Sequence, residues 1–559
     1  MKNTSGQVQC SADRKDKSVQ SREKNKDVYG QWKDAFIATA GIIADCVGIN
    51  RMKRILAWLV LLVCVLVPIQ TKASSSFNWY EIFVRSYQDS DGDGIGDLQG
   101  VMDRLDYISD MGYDGIWLMP IMPSPSYHKY DVTDYMSIDP EYGTLEDFRS
   151  LVKECHERGI RLIVDLPINH SSSQHPWFTQ ACQALRKGDQ TNRYVDYYCF
   201  SQKNGQKQVK LSGTEWYYEE QFSGGGMPDL NLDSKEVRAE ITAIMDFWLN
   251  ECGVDGFRLD AVTSYYAADV PQNVAFLRWL NDTAKALKPG CFLVGEAWVG
   301  LTSIAEYYES GIDSFFLFPA SQAEGYIART IRARSKPAQQ YVNFMQQVEE
   351  AMGEYLIAPF IGNHDTGRAV GSLQARSAPE RAKFAEALVN LMGGATFTYY
   401  GEEIGMVGSG DDTNKRLAMY WNDEDMTDQP PGTTKIEYAF PCVDDQLKEE
   451  YSLLNYCKKL NHLKLQNPAI ALGKNEFVYS DGDVCVMKRT WNDQECWIYV
   501  NFSAKTVQSG SSKLAGNWKE RPWTLAGALD VGEERSRADI SGEEVRFELA
   551  PYGIVILAH

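Results

Sequence analysis

GFRLD, Gly256 to Asp260, ends an apolar run with a guanidinium and a carboxylate two positions apart. In an extended strand residues i and i+2 point to the same side, so Arg258 and Asp260 emerge together at a strand end. Four more segments deliver polar groups after apolar runs: DLPINH at Asp165 to His170, MPDLN at Met227 to Asn231, GEAW at Gly295 to Trp298, and GNHD at Gly362 to Asp365. Around them, short apolar, β-branched or aromatic runs alternate with amphipathic stretches. The strand candidates are Trp79 to Tyr87, Gly115 to Met119, Arg161 to Leu166, Gly256 to Ala261, Phe292 to Glu296, Ser314 to Phe318, Ile357 to Gly362 and Thr396 to Tyr400. The helix candidates include Leu145 to Arg158, Lys235 to Glu251, Asn273 to Leu287, Ser321 to Met352 (interrupted at Pro337) and Pro379 to Leu391.

Eight strands separated by helices predict an α/β fold, a (β/α)8 TIM barrel, whose active site lies at the C-terminal ends of the strands. The motifs fall at those ends. Ser171 to Asp233 is polar, aromatic and contains glycines, and is expected to be an inserted subdomain after the third strand. Beyond Leu465, alternating runs such as Val484 to Lys488, Cys496 to Asn501 and Val545 to Ala550 predict a C-terminal antiparallel β-sandwich.

At 559 residues the chain is too long for one core, and two or three domains are expected. The formal charge is −20, and residues 1–73 hold 12 Lys+Arg against 6 Asp+Glu, leaving 44 basic and 70 acidic residues in the remainder. Such a surface repels phosphate backbones, so no nucleic-acid partner is expected. Twelve cysteines occur without a CxxC pair, which excludes a zinc ribbon. Cys182 and Cys199 share the insertion and are candidates for a disulfide; buried free thiols are the alternative.

Met52, Lys53 and Arg54 form a charged start, Ile55 to Ile69 an apolar stretch, and Thr71 to Ala73 a short end with a small residue. This is the layout of a signal peptide, cleaved after Ala73. The apolar stretch is short against the ~20 residues of a membrane span, so no stable anchor is expected after cleavage. The expected organisation is a polar extension at 1–51 absent from the mature protein, a signal peptide at 52–73, barrel at 74–170, insertion at 171–233, barrel at 234–464, and C-terminal β-sandwich at 465–559. The product is expected to be secreted and monomeric.

The five motifs, in this order, resemble the α-amylase family of retaining glycoside hydrolases, glycoside hydrolase family 13. The wording is nearest to bacterial α-amylases intermediate between oligo-1,6-glucosidases and neopullulanases, the MPDLN type. The resemblance runs from Phe77 to His559 and includes PYGIVIL at Pro551 to Leu557. It implies that Asp260 is the nucleophile, Glu296 the general acid/base and Asp365 the third carboxylate. Retaining cleavage needs the first two about 5 to 5.5 Å apart. Arg258 is expected to hold Asp260 ionised and oriented. Tyr130 and His128 in HKYDV, with His170 and His364, are expected to bind the sugar. Exo-acting oligo-1,6-glucosidases carry an Asp where this chain has Tyr127, a departure that points to endo action. Ser264 stands where α-amylases commonly have His, which weakens the expectation of a family calcium site near Asn169.

DSDGDGIGD at Asp89 to Asp97 has the spacing of a single calcium loop, with a Gly at its sixth position. The candidate Ca2+ ligands are Asp89, Asp91, Asp93, the carbonyl of Ile95 and Asp97; an acidic Asp-Gly turn is the alternative. The expected activity is that of a retaining endo-acting α-amylase on α-1,4-glucans. The alternatives are an α-glucosidase, cyclomaltodextrinase-like hydrolase or transglycosylase of the same family, and, from another class, a non-catalytic membrane-anchored transporter subunit.

Overall fold

Strand β1 (Asn78–Ile82) is buried on both sides and pairs in parallel with β2 (Gly115–Leu118) and β8 (Thr396–Tyr399). The series continues through β3 (Arg161–Leu166), β4 (Gly256–Leu259), β5 (Phe292–Gly295), β6 (Ser314–Phe316) and β7 (Leu356–Ala358). The order β7-β6-β5-β4-β3-β2-β1-β8 is parallel throughout. It closes where the Ala395 N–H donates to Ile357 O at 2.9 Å and the Phe397 N–H to Pro359 O at 3.0 Å. This computed structural model describes residues 77–508, 512–513, 522–541 and 544–559. The signal peptide and polar extension expected at residues 1–73 lie outside the described residues.

The eight strands match the eight candidates, with ends trimmed for local reasons. The first stops at Ile82 and turns through a short 3-10 helix, Val84–Ser86. The seventh stops at Ala358 because Pro359 has no N–H to continue the ladder. The long helix candidate Ser321 to Met352 is split into Tyr326–Ile331 and Pro337–Met352, with proline opening the second piece, where its missing N–H costs nothing.

The barrel is filled by side chains from alternate strand positions, among them Trp79, Trp117, Ile163, Val294, Phe316 and Phe397. Trp79 stacks between Phe292 and Phe397, at centroid distances of 5.1 and 5.5 Å. That stack requires a glycine on the neighbouring strand, because a Cβ at Gly115 would sit 2.5 Å from the Trp79 ring.

After β3 the chain makes a helix, Pro176–Arg186, and a small antiparallel sheet of Phe200–Ser201, Gln208–Lys210 and Tyr217–Glu219. MPDL returns this insertion to the barrel: Asp229 bridges to His170, and the Leu230 N–H donates to Asn169 O at 3.0 Å. Cys182 and Cys199 are both free thiols, which decides against a disulfide between them; Cys199 Sγ contacts Leu230 O instead.

Beyond the barrel, a five-stranded antiparallel sheet faces a smaller antiparallel one. Val486, Trp497, Tyr499 and Leu557 of the first pack against Val545, Phe547 and Leu549 of the second. Arg489, buried, ties the larger sheet to the barrel by donating to Leu391 O and Met392 O at 2.7 and 2.8 Å.

Candidate active site

Strand β4 positions the site. Gly256 begins it at φ +149°, where a Cβ would lie 1.8 Å from Phe292 O, so only glycine lets β4 and β5 approach this closely. Two residues on, Arg258 is fully buried, and its guanidinium connects three carboxylates. Nη1 donates to Asp260 Oδ1 at 2.6 Å and to both oxygens of Asp165 at 3.0 Å; Nη2 donates to Glu296 Oε2 at 2.8 Å. Asp260 and Glu296 lie 36 positions apart in the chain, and one planar fork brings them together at the rim.

Ala261, directly after Asp260, has φ +49°, the left-handed region that costs a side-chain-bearing residue energy. The strained turn aims its N–H at Glu296 Oε2, 3.0 Å away. Burial pushes the Glu296 carboxyl up to about 7, with Asp260 and Asp365 adding to the rise and Arg258 opposing it. A group balanced near neutrality can give a proton and take one back. Burial likewise raises Asp165 to about 7, against the pull of Arg258.

Asp365 approaches from the loop after β7. Arg416 Nη2 holds its Oδ1 at 2.9 Å and His364 Nε2 lies 3.1 Å from its Oδ2. Burial would raise Asp365, but His364, Arg416 and Arg258 outweigh it and hold the carboxyl well below the usual range. Tyr130 bridges the two halves of the site, its hydroxyl 3.0 Å from Asp165 Oδ2 and 2.8 Å from His364 Nε2. His128 Nδ1 accepts the Tyr130 N–H at 3.2 Å. His170 Nε2 is buried with no partner among the described residues, and burial lowers the ring's pKa, leaving a neutral nitrogen for a ligand.

These groups line one cavity of 330 Å³ that contains His128, Tyr130, His170, Asp260, Glu296 and Asp365, with Arg416, Phe222 and Trp298 at its walls. A larger depression of 540 Å³ lies on the outer helices between Arg149, His156 and Glu251, but it is shallow and none of the motif carboxylates reaches it. Six of the eight site residues expected from the sequence line the 330 Å³ cavity, and Arg258 and His364 reach the carboxylates from beneath.

Sequence reasoning left out Asp165, Glu81, Arg416, Phe222 and Trp298 as site residues. Asp165 and Trp298 stood inside quoted motifs, and a lone carboxylate within the apolar NWYEIF was a usable signal for Glu81. Arg416 and Phe222 lie on loops with no pattern around them.

In the acidic loop, ligand oxygens of Asp89, Asp91 and Asp97 lie within 4.8 Å of one another. Asp93 is not in that group; its Oδ1 accepts the Ile95 N–H at 2.7 Å, as Asp89 and Asp91 also accept N–H groups of the loop. The Ile95 side chain packs against the core. Asp97 also caps the helix Leu98–Asp103. Three convergent carboxylates are a hard-oxygen donor set that fits calcium. At the other candidate metal position, the Asn169 amide donates to Asp229 Oδ1 at 3.1 Å.

The family model for the α-amylase catalytic domain matches residues 81–473. Alpha-amylase 3 of Dictyoglomus thermophilum is 36% identical over 441 residues, covering 76% of this chain and 84% of the relative. An oligo-1,6-glucosidase of Parageobacillus thermoglucosidasius is 28% identical, over 76% of this chain and 90% of its own length. Among solved structures, Eubacterium rectale Amy13B superposes with a TM-score of 0.80 at 39% identity, covering 87% of this chain and 96% of that one.

Proposed function

The chain belongs to the α-amylase family of glycoside hydrolases, and from that premise we propose that it is a retaining, endo-acting α-amylase cutting α-1,4-glucosidic bonds of starch and maltooligosaccharides. The observation that carries this reading is the single Arg258 guanidinium shared by Asp260 and Glu296 at the rim of one cavity. In the first step Glu296 protonates the glycosidic oxygen while Asp260 attacks the anomeric carbon, giving a glycosyl ester. In the second, Glu296 takes a proton from water, which displaces Asp260 and restores the α-configuration. Asp365 and His170 hold sugar hydroxyls, His364 acts on the sugar through Asp365, and Tyr130 lies against the ring.

Endo action is supported by Tyr127, which stands where an exo-acting relative would grip a terminal glucose, and by the cavity mouth. There Trp298 and Phe222 remain 47% and 39% exposed, offering apolar faces to sugars beyond the cleaved bond. The similarity to oligo-1,6-glucosidases makes α-glucosidase action the reading to test against. With soluble starch, endo action gives early loss of viscosity and α-configured maltooligosaccharides. Release of glucose alone from chain ends, or preferential cleavage of isomaltose, would replace the endo reading with the exo one. Parallel digests of maltotriose, cyclodextrin and pullulan separate hydrolysis from ring opening and transfer.

We further read the acidic loop as a structural calcium site held by Asp89, Asp91 and Asp97, remote from bond cleavage. Calcium at 100 times its Kd should stabilise the fold by about 2.7 kcal/mol. Melting curves in EDTA and in calcium test this: a rise in Tm with calcium that Asp89→Asn removes is expected, and equal curves would discard the site. Export through the segment Met52 to Ala73, as a monomer without a lasting anchor, belongs to the same reading; a mature N-terminus at Ser74 is its test.

A further inference from the structure

His364 has a carboxylate on each side of its ring. On one side, Nδ1 lies 2.5 Å from Oε1 of Glu81, the one carboxylate within β1. On the other, Nε2 faces Asp365 Oδ2 at 3.1 Å and the Tyr130 hydroxyl at 2.8 Å. Glu81 lies two positions after Trp79 and opposite Trp117 in register, so it rises from the barrel interior directly under the site. Both Glu81 and His364 are about 1% exposed, which leaves water little part in their hydrogen bonding.

Counting donors and acceptors points to the form of the ring. As carboxylates Glu81 and Asp365 accept only, and with Asp165 in its ionised form the single Tyr130 proton is directed to its Oδ2 at 3.0 Å. The lone pairs of the Tyr130 hydroxyl then face His364 Nε2. Both ring nitrogens therefore meet acceptors, and a neutral imidazole has one N–H to give. We propose that Glu81 is a positioning residue for bond cleavage: it keeps His364 doubly protonated, and the resulting imidazolium holds Asp365 as a fixed anion beneath the sugar.

The surroundings agree. Burial alone would lower His364, yet Asp365 and Glu81 together raise it to about 9. The other charged and titratable neighbours are Arg416, whose Nε donates to His364 O at 3.2 Å, and Arg258, whose Nη1 lies 3.4 Å from the Tyr130 hydroxyl. Tyr399 and Glu402 lie near Glu81, with Arg368 beside Glu402 at 3.7 Å. Trp117 meets the His364 ring edge-on at 5.7 Å and carries no charge.

This inference rests on the double-displacement reading, so one of its two tests needs no turnover. In resting enzyme labelled with 15N-histidine, with His364 assigned by loss of its signals in His364→Asn, both ring nitrogens should show imidazolium shifts at pH 8. In Glu81→Gln, which keeps the shape and an acceptor oxygen, the ring should be largely neutral at that pH. The second test uses α-maltosyl fluoride, whose leaving group needs no proton, so that Glu296 drops out of the alkaline limb of kcat/KM. Between pH 7 and 8.5 the wild type should change by less than about 2-fold and Glu81→Gln should fall by about 10-fold or more. A neutral His364 in the wild type at pH 7, or superimposable profiles for the two proteins, would overturn the proposal. Should Glu81→Gln fail to fold, the wild-type spectrum alone decides.

Discussion

Asp260→Asn is expected to lose at least about 10⁴-fold in kcat, and Glu296→Gln roughly 10² to 10⁴-fold, on starch. The two losses differ in kind. Without Asp260 no glycosyl ester forms, so a better leaving group restores nothing. Without Glu296 the ester still forms from α-maltosyl fluoride, and its breakdown becomes rate-limiting because no base activates water. Added azide separates the roles by stereochemistry: Glu296→Gln should yield the α-maltosyl azide, from attack on the ester, and Asp260→Asn the β-azide, from direct displacement. The pH profile of the wild type on starch adds a third check. With Glu296 pushed up to about 7 by burial, kcat/KM should fall as pH rises through that value, because the acid that protonates the leaving oxygen is lost. Wild-type-like turnover in either variant would dissolve the assignment.

The second large effect belongs to Arg258. Its side chain is wholly buried among Asp165, Asp260 and Glu296, and removing it leaves three carboxylates facing one another with no cation between them. Arg258→Met should destabilise the fold by about 3 to 5 kcal/mol, the range for breaking a buried ion pair from one side, and abolish activity beyond the loss of stability. Arg258→Lys should fold better yet remain poorly active, since a point charge cannot bridge Asp260 and Glu296 as the planar fork does. Urea melts followed alongside kcat check both. A stable and active Arg258→Met would show that the carboxylates are arranged by something other than this guanidinium.

How far the site was legible in the sequence depends on whether a residue sat on a strand. Arg258 lies on β4 and Asp260 follows that strand directly, Glu296 follows β5 immediately and Asp365 follows β7 at a short distance, so the barrel rule places them at one rim. The barrel was legible for the same reason: parallel strands buried on both faces read as apolar runs, and their helices carry a different period. Arg416 shows the limit. It reaches Asp365 from a position 51 residues further on, across β8 and a long loop, and loops carry no periodicity to announce where they return. Glu81 shows another limit, since its partner lies 283 positions away and only the closed ring brings the loop after β7 across β8 to β1. In the acidic loop the spacing suggested the ligand set, and the fold brings Asp89, Asp91 and Asp97 of that set together. Side-chain direction within a tight turn depends on dihedral angles that residue spacing does not carry.

The central claim, that Asp260 attacks the sugar while Glu296 manages the proton, is tested most directly by trapping the ester. With 5-fluoro-α-maltosyl fluoride, whose inductively slowed second step lets the intermediate accumulate, the enzyme should gain the mass of one 5-fluoromaltosyl group. Peptide mapping should place that mass on the peptide containing Asp260, and excess maltose should release it by transfer. Label on Glu296 or Asp365, or steady turnover to β-configured product with no covalent species, would contradict the account.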